Sequence, residues 1–252
     1  MTLYIIGLGL NNEKDITVNA LEAIKRCDKL YLETYTSKLS CSIANLEKFY
    51  GKKIIPADRN LVENNVEEIL NQAKTDDVAF LVIGDVFSAT THHDLRLRAL
   101  KENINVEIIN NVSIMTAVGV TGLDLYKFGR TTTLVFPQPN FFPETPYDVI
   151  KMNMANNLHT LCLLDIKAEQ DIFMDINEAL HLLMSIEEKR KENVITEYMK
   201  VVACARIGTE TQLIKFGTVK ELSQFDFGAP LHTLIIPAKL HFIEEEVLEM
   251  WR

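Results

Sequence analysis

Four short stretches combine residue types that do chemistry. The first, Tyr4-Ile5-Ile6-Gly7-Leu8-Gly9-Leu10-Asn11-Asn12, runs an apolar strand into a Gly-x-Gly turn. Glycines after a first strand let a ligand approach the backbone without meeting a Cβ, as in dinucleotide-binding loops. The third glycine of that fingerprint falls at position 12, where Asn12 stands, and Glu13 and Asp15 place acid where a pyrophosphate would meet a helix. The loop therefore reads either as a plain tight turn or as a site for a ligand without pyrophosphate. The second stretch, Ile83-Gly84-Asp85-Val86-Phe87-Ser88-Ala89-Thr90-Thr91-His92-His93-Asp94, ends a buried strand in Gly-Asp. Open α/β sheets bind ligands outside the carboxyl ends of their strands, and a carboxylate there suits a cationic or hydroxyl-bearing ligand. The alternative is that Asp85 or Thr91 caps the next helix. Adjacent histidines diverge on a helix and no Cys, Asp or Glu set accompanies them, so no metal site is expected at His92-His93.

The third stretch, Asn111-Val112-Ser113-Ile114-Met115-Thr116-Ala117-Val118-Gly119, again follows a strand. Ser113 is a natural N-cap, or its neighbouring N–H groups meet a ligand. It does not lie in a Gly-x-Ser-x-Gly elbow, so it is not read as a hydrolase nucleophile. The fourth, Phe227-Gly228-Ala229-Pro230-Leu231-His232-Thr233-Leu234, places His232 at the start of an apolar strand, as a core residue or a site residue. No Ser/His/Asp or Cys/His arrangement appears, and no catalytic residue is assigned.

These stretches need strands to carry them. Apolar runs occur at Leu3–Ile6, Lys29–Leu32, Lys53–Ile55, Val78–Ile83 and Val106–Ile109, then at Thr132–Phe136, Thr160–Leu164, Val201–Ala205, Leu213–Phe216 and Leu231–Ile236. Their apolarity is continuous rather than alternating, which fits strands covered on both faces and hence parallel sheets between helices. Asp15 precedes a helix with Ala20, Leu21 and Ile24 on one face, and Gly51 closes another as its C′ residue. Glu178–Lys191 has Ala179, Leu182, Leu183 and Ile186 as its apolar stripe, with Glu187, Glu188, Lys189 and Arg190 expected in water. Five strands on each side of Gly129 predict two α/β domains, 1–128 and 129–252. Pro137, Pro139, Pro143 and Pro146 mark a stiff loop, either an interdomain linker or part of the second domain.

Composition bounds the partners. The chain has 252 residues, 47% hydrophobic and 24% charged, with a formal net charge of −9. An acidic surface repels phosphates, so neither nucleic acid nor an anionic membrane is an expected partner. No apolar run approaches the ~20 residues of a membrane helix, and Met1 leads almost directly into a strand. Cys27, Cys41, Cys162 and Cys204 are scattered and read as reduced core residues. A cytoplasmic protein is expected.

Taken together, these stretches resemble the tetrapyrrole-methylase superfamily and, within it, the diphthine-synthase family. The matching pieces include Tyr4–Leu10, Asp15-Ile16-Thr17-Val18, Glu33-Thr34-Tyr35-Thr36-Ser37, Ala89-Thr90-Thr91-His92 and Leu125-Tyr126-Lys127-Phe128-Gly129. They continue with Leu164-Asp165-Ile166-Lys167, Ala205-Arg206, Asp226-Phe227-Gly228 and Lys239-Leu240-His241, in family order across nearly the whole chain. The resemblance implies two α/β domains with mostly parallel or mixed sheets, S-adenosyl-L-methionine in the cleft between them, and a homodimer. It implies methylation of the amino group on the 3-amino-3-carboxypropyl-histidine intermediate of translation elongation factor 2, in diphthamide biosynthesis, with S-adenosyl-L-homocysteine as product. Carried over by position, the cofactor contacts fall on Leu10, Asp85, Ser88, Ser113, Ile114, Leu164, Ile207 and His232.

The chain departs from the pattern at Val86, where the family often has Pro, at Ser88, where it often has Gly, and at Asn140-Phe141-Phe142-Pro143, where Trp is common. Methyl transfer from a sulfonium to a neutral amine creates no oxyanion. Catalysis is expected from positioning and desolvation, which supply up to roughly 7–11 kcal/mol in favourable cases. The rival readings are a tetrapyrrole or ribosomal-RNA methylase of the same superfamily, and a catalytically silent binding module on the same scaffold.

Overall fold

The computed structural model describes residues 1–139 and 141–252; Asn140, which opens the Asn140–Pro143 departure, lies outside the described residues. The chain divides into two compact units. One comprises Met1–Met115 with Lys167–Asp171, the other Thr116–Ile166 with Ile172–Arg252.

The first unit is built from β1 (Thr2–Gly7), α1 (Val18–Arg26), β2 (Lys29–Glu33), α2 (Ile43–Tyr50), β3 (Ile55–Ala57), α3 (Arg59–Glu63), α4 (Glu67–Ala73), β4 (Val78–Val82), α5 (His93–Lys101) and β5 (Asn105–Ile109). Its sheet runs β3-β2-β4-β1-β5 with every pairing parallel. The uninterrupted apolarity of β4 has a direct cause. Val78, Phe80 and Val82 pack with Ile69, Leu70, Leu95 and Ala99 on one face. Ala79 and Leu81 pack with Ala20, Ala23, Ile24 and Leu46 on the other. Side chains alternate faces along a strand, so two covered faces require an apolar residue at every position. Each large side chain so buried contributes about 1.5–3 kcal/mol.

Helix ends follow local chemistry. Thr17 caps α1, its hydroxyl accepting from Ala20 N–H at 3.2 Å. Gly51 closes α2 in the left-handed region, its N–H donating to the Glu47 carbonyl at 2.9 Å, as the sequence indicates. A one-turn helix, α6 (Ile114–Ala117), follows β5.

The second unit contains β6 (Thr132–Leu134), α7 (Thr145–Ala155), β7 (Thr160–Leu164), Ile166 of the two-residue β8 (Ile166–Lys167), β9 (Ile172–Phe173), α8 (Ile176–Arg190), β10 (Lys200–Ala205), β11 (Leu213–Thr218), α9 (Val219–Leu222), β12 (His232–Ile236) and α10 (Phe242–Leu248). Its five-stranded sheet runs β11-β10-β12-β7-β6, and only β6–β7 is parallel. This corrects the expectation of parallel strands for this half. Continuous apolarity reports coverage on both faces, not strand direction; Val201–Ala205 of β10 is buried throughout although both its pairings are antiparallel. The proline loop lies inside this unit between β6 and α7, with Pro146 in the first turn of α7.

The charge run of α8 is not simply solvated. Glu187 accepts from the Tyr147 hydroxyl at 2.6 Å and from the N–H groups of Asn193, Val194 and Ile195 at 2.7, 2.8 and 2.9 Å. Desolvation pushes its carboxyl up, but these donors outweigh it and hold the pKa at about 2. Arg190 meanwhile donates to Asp148 at 2.6 Å and lies over the Tyr147 ring.

A buried ionic cluster ties α10 to the rest of this unit. Glu244 is 1% exposed and His159 0%. Ala238 N–H donates to His159 Nδ1 at 3.0 Å, so the proton sits on Nε2, which donates to Glu244 Oε1 at 2.8 Å. Lys127 Nζ donates to Glu244 Oε2 at 2.7 Å, and Asp124 N–H and His241 N–H fill the remaining acceptor positions. Every polar group in the cluster is paired, which is the condition for such a cluster to be tolerated in a core.

Candidate functional site

At the carboxyl edge of the first sheet, two glycine loops are stitched together. Gly9 N–H donates to the Gly84 carbonyl at 3.2 Å and Gly84 N–H to the Gly9 carbonyl at 2.7 Å. Both glycines have positive φ, +80° and +84°. A Cβ on Gly7 would lie 2.7 Å from the Gly84 carbonyl oxygen. The glycines that suggested ligand approach are thus required for loop-to-loop contact. Asn12 adopts an extended conformation, needs no glycine, and caps a 3-10 turn at Glu13–Asp15 by accepting from Lys14 N–H.

Asp15 explains the missing phosphate site. Its Oδ2 accepts from Leu10 N–H at 3.0 Å and Asn11 N–H at 2.8 Å. Paired backbone amides in a glycine turn form an anion nest, and here the chain's own carboxylate fills it. Gly9→Ala sets a Cβ 2.6 Å from Asp15 Cβ and forces φ +80° on alanine. The left-handed penalty and the overpacking together predict a loss of about 2–5 kcal/mol. Urea unfolding checks this, and an unchanged midpoint contradicts it.

Asp85 is saturated with donors. Oδ1 accepts from Asn110 Nδ2 at 2.9 Å and Asn111 N–H at 3.0 Å, Oδ2 from Phe87 N–H and the Ser88 hydroxyl, both at 3.2 Å. Burial raises the carboxyl pKa, but these four donors win and hold it below the usual carboxylate range. Neither Asp85 nor Thr91 caps α5; His92 occupies that position and makes no side-chain cap. Asp85 instead joins the loop after β4 to the loop after β5. Asn111 extends the seam, donating to the carbonyls of Gly7 at 3.0 Å and Asp15 at 3.1 Å.

Beside these loops lies a buried polar group that the sequence did not assign to the site. Glu33, fully buried at the end of β2, accepts from Tyr35 N–H, Thr36 N–H and the Thr36 hydroxyl. His92, 1% exposed, donates from Nδ1 to the Val86 carbonyl at 3.2 Å and packs edge-on to Phe80. Burial holds His92 below the usual histidine range although Glu33 pulls the other way. His93 diverges and stacks on Phe87 at 4.1 Å. Among the described residues no group of three His, Cys, Asp or Glu could hold a metal ion.

Five of the eight expected contact residues therefore share one edge of the first unit. Leu10, Ser88 and Ile114 are half-buried, Ser113 is buried, and Asp85 holds two of the loops together. The other three belong to the second unit: Leu164 ends β7, Ile207 follows β10, and His232 opens β12. β12 and β10 pair with Ala205 opposite His232. His232 Nε2 lies 3.0 Å from the Ala229 carbonyl, while its Nδ1 is buried with no hydrogen-bond partner among the described residues. A carbonyl only accepts, so Nε2 carries the proton and Nδ1 is an unmatched acceptor. Asp15, Asn110, Asn111 and Arg206 were missed as site residues. For Asn110 and Asn111 the local signal was their pairing directly after β5; Asp15 and Arg206 carried none of their bonding partners in the adjacent sequence.

A family model described as tetrapyrrole (corrin/porphyrin) methylases matches residues 2–223. Diphthine methyl ester synthase of Dictyostelium discoideum is 49% identical over 269 residues, covering 100% of this chain and 98% of its own. Diphthine synthase of Methanococcus maripaludis is 49% identical over 248 residues, covering 98% and 97%. A crystal structure of a diphthine synthase matches with a TM-score of 0.91 at 36% identity, covering 100% of this chain and 96% of that one. The chain belongs to the tetrapyrrole methylase family and, within it, to the diphthine synthases.

Proposed function

We propose that this chain is an S-adenosyl-L-methionine-dependent methyltransferase that multiply methylates the amino group of the 3-amino-3-carboxypropyl-histidine intermediate of translation elongation factor 2, a step of diphthamide biosynthesis. The observation that carries the reading is similarity to diphthine synthases over the whole chain at nearly half identity. We further place it in the cytoplasm and, as the family resemblance implies, as a homodimer.

The residues fit the cofactor on physical grounds. The amide pair of the first glycine loop is filled by Asp15, which disfavours a phosphate-bearing ligand and suits one that carries a sulfonium cation. The unmatched Nδ1 acceptor of His232 fits the cofactor's hydroxyl and amino donors. The contacts assigned to it are Leu10, Asp85, Ser88, Ser113 and Ile114 on the first unit, and Leu164, Ile207 and His232 on the second. When bound, S-adenosyl-L-methionine supplies an electrophilic methyl group.

The chain's own contribution is positional. Leu10 and Ile114 of the first unit, and Leu164 and Ile207 of the second, are each suited to apolar contact with the cofactor, and the Asp85 seam fixes the loops that carry Leu10 and Ser88. A preorganised, dry site orients the amine for in-line attack and keeps its reacting lone pair free of solvent. The acidic net charge of −9 suits a protein acceptor rather than RNA. The acceptor is tested by offering labelled S-adenosyl-L-methionine with elongation factor 2 intermediate, with ribosomal RNA and with a tetrapyrrole. Label is expected on the elongation factor alone; label on another acceptor overturns the reading.

A further inference from the structure

The loop Asp226–Leu231 lies against one arginine. Arg206 Nη1 donates to the Phe227 carbonyl at 2.8 Å and also to the Ala229 carbonyl. Its Nε donates to the Thr211 carbonyl and hydroxyl, both at 3.1 Å, and its main-chain N–H donates to the Leu231 carbonyl at 2.8 Å. The residue itself has φ +51°, at the point where β10 turns into the loop carrying Ile207. One guanidinium thus holds two separate segments, the turn at Thr211 and the loop at Phe227–Ala229. A planar fork with donors fixed in two directions does this; an ammonium, a single point of charge, does not.

Two members of the clamped loop touch His232. The Ala229 carbonyl accepts from its Nε2, and the Phe227 ring meets the imidazole edge-on at 6.1 Å. The orientation of a histidine and the nitrogen that carries its proton are set by the bond its other nitrogen makes. Displacing Ala229 would release Nε2 and let the proton move to Nδ1, turning the acceptor into a donor. Burial lowers the His232 pKa and the nearby Arg206 charge adds to this, while the backbone of Ala229 and Gly228 and the Asp175 charge oppose it. The neutral ring is therefore the one on which the clamp acts.

We propose that Arg206 is a positioning residue for cofactor binding: by holding Ala229 and Phe227 it locks His232 as the Nε2–H tautomer, with Nδ1 presented as an acceptor. The proposal rests on the reading of His232 as a cofactor contact.

The test uses the full chain labelled with 15N-histidine. Long-range 1H–15N spectra at neutral pH read the His232 tautomer without ligand, and calorimetry reads affinity for S-adenosyl-L-homocysteine. The wild type is expected as Nε2–H. Arg206→Gln is expected as a tautomer mixture with roughly tenfold weaker binding, the equivalent of one hydrogen bond. Arg206→Lys, which keeps the charge but not the fork, is expected to shift the same way and serves if the glutamine variant does not fold. Glu221→Ala, which breaks the capping box of α9, is the structural control; it should lower thermal stability and leave the tautomer unchanged. A wild-type Nδ1–H ring, or Arg206 variants that keep the Nε2–H tautomer and bind within about twofold of wild type, overturns the proposal. If wild-type protein does not bind the homocysteine product, the cofactor reading fails, and the ligand-free spectra still decide whether the clamp sets the tautomer.

Discussion

Replacing Glu244 with alanine is expected to destabilise the protein by about 3–5 kcal/mol, the range for breaking a buried ion pair on one side. The substitution strands His159 Nε2–H in a site with 0% exposure and leaves the N–H groups of Asp124 and His241 without their acceptor. Lys127 loses its carboxylate and keeps only the Lys239 carbonyl. Differential scanning calorimetry should show the midpoint falling by on the order of 10 °C. A shift below about 2 °C would contradict this account of the cluster.

The same cluster sets an acid limit. Desolvation raises the Glu244 carboxyl, but the donors of His241, Lys127, His159 and Asp124 outweigh it and depress it from 4.5 to about 2. A depressed carboxyl adds stability that is present above 4.5 and lost as pH falls towards about 2. His159, lowered from 6.5 first by burial, also favours its neutral form, so its contribution is present above 6.5 and declines as pH falls below it. Urea titrations across this range should show stability decreasing in two stages on acidification. Glu244→Ala should remove the lower stage.

The second large effect concerns the seam between loops. Asp85→Ala is expected to weaken binding of S-adenosyl-L-homocysteine roughly 10- to 100-fold, because bonds to a charged acceptor contribute about 1.5–3 kcal/mol each. The mechanism differs from a simple loss of contact. Asp85 spends both oxygens on Asn110, Asn111, Phe87 and Ser88, so its removal frees the loops that carry Ser88 and, through Asn111, the Gly7–Asp15 turn. Asp85→Asn separates shape from acceptor count, since its amide must turn an NH2 towards two donors. It should fall between wild type and alanine. Calorimetry decides, and unchanged affinity in Asp85→Ala would remove Asp85 from the site.

Those two clusters also mark the limit of what the chain's pattern reveals. Nine of the ten apolar runs largely coincide with strands, and Lys53–Ile55 meets β3 only at Ile55. A strand covered on both faces leaves a local signature, as in Val78–Val82, which the exposed Ile55 and Pro56 of β3 do not. Strand direction in the second sheet left none, since an antiparallel β10 buried on both sides reads like a parallel one. Gly7, Gly9, Gly84 and Asp85 were visible because glycine turns and a carboxylate at a strand end are local. The partners were not. Asn111 bonds Gly7 across 104 positions, and Arg206 reaches Phe227 and Ala229 across more than 20. Asp15 read only as an acid ahead of a helix, because its acceptor role depends on how Gly9 turns the backbone. Glu187 looked solvated because its donors arrive from the loop after α8 and from Tyr147 of α7.

The central claim is multiple methylation of one protein side chain by this enzyme. Its most direct test is intact and peptide mass spectrometry of elongation factor 2 bearing the aminocarboxypropyl-histidine intermediate, after incubation with the enzyme and S-adenosyl-L-methionine. The account predicts a gain of three methyl groups, or four if an ester is added, confined to the peptide that carries the modified histidine. A factor that remains unmethylated while the enzyme binds its cofactor would contradict it.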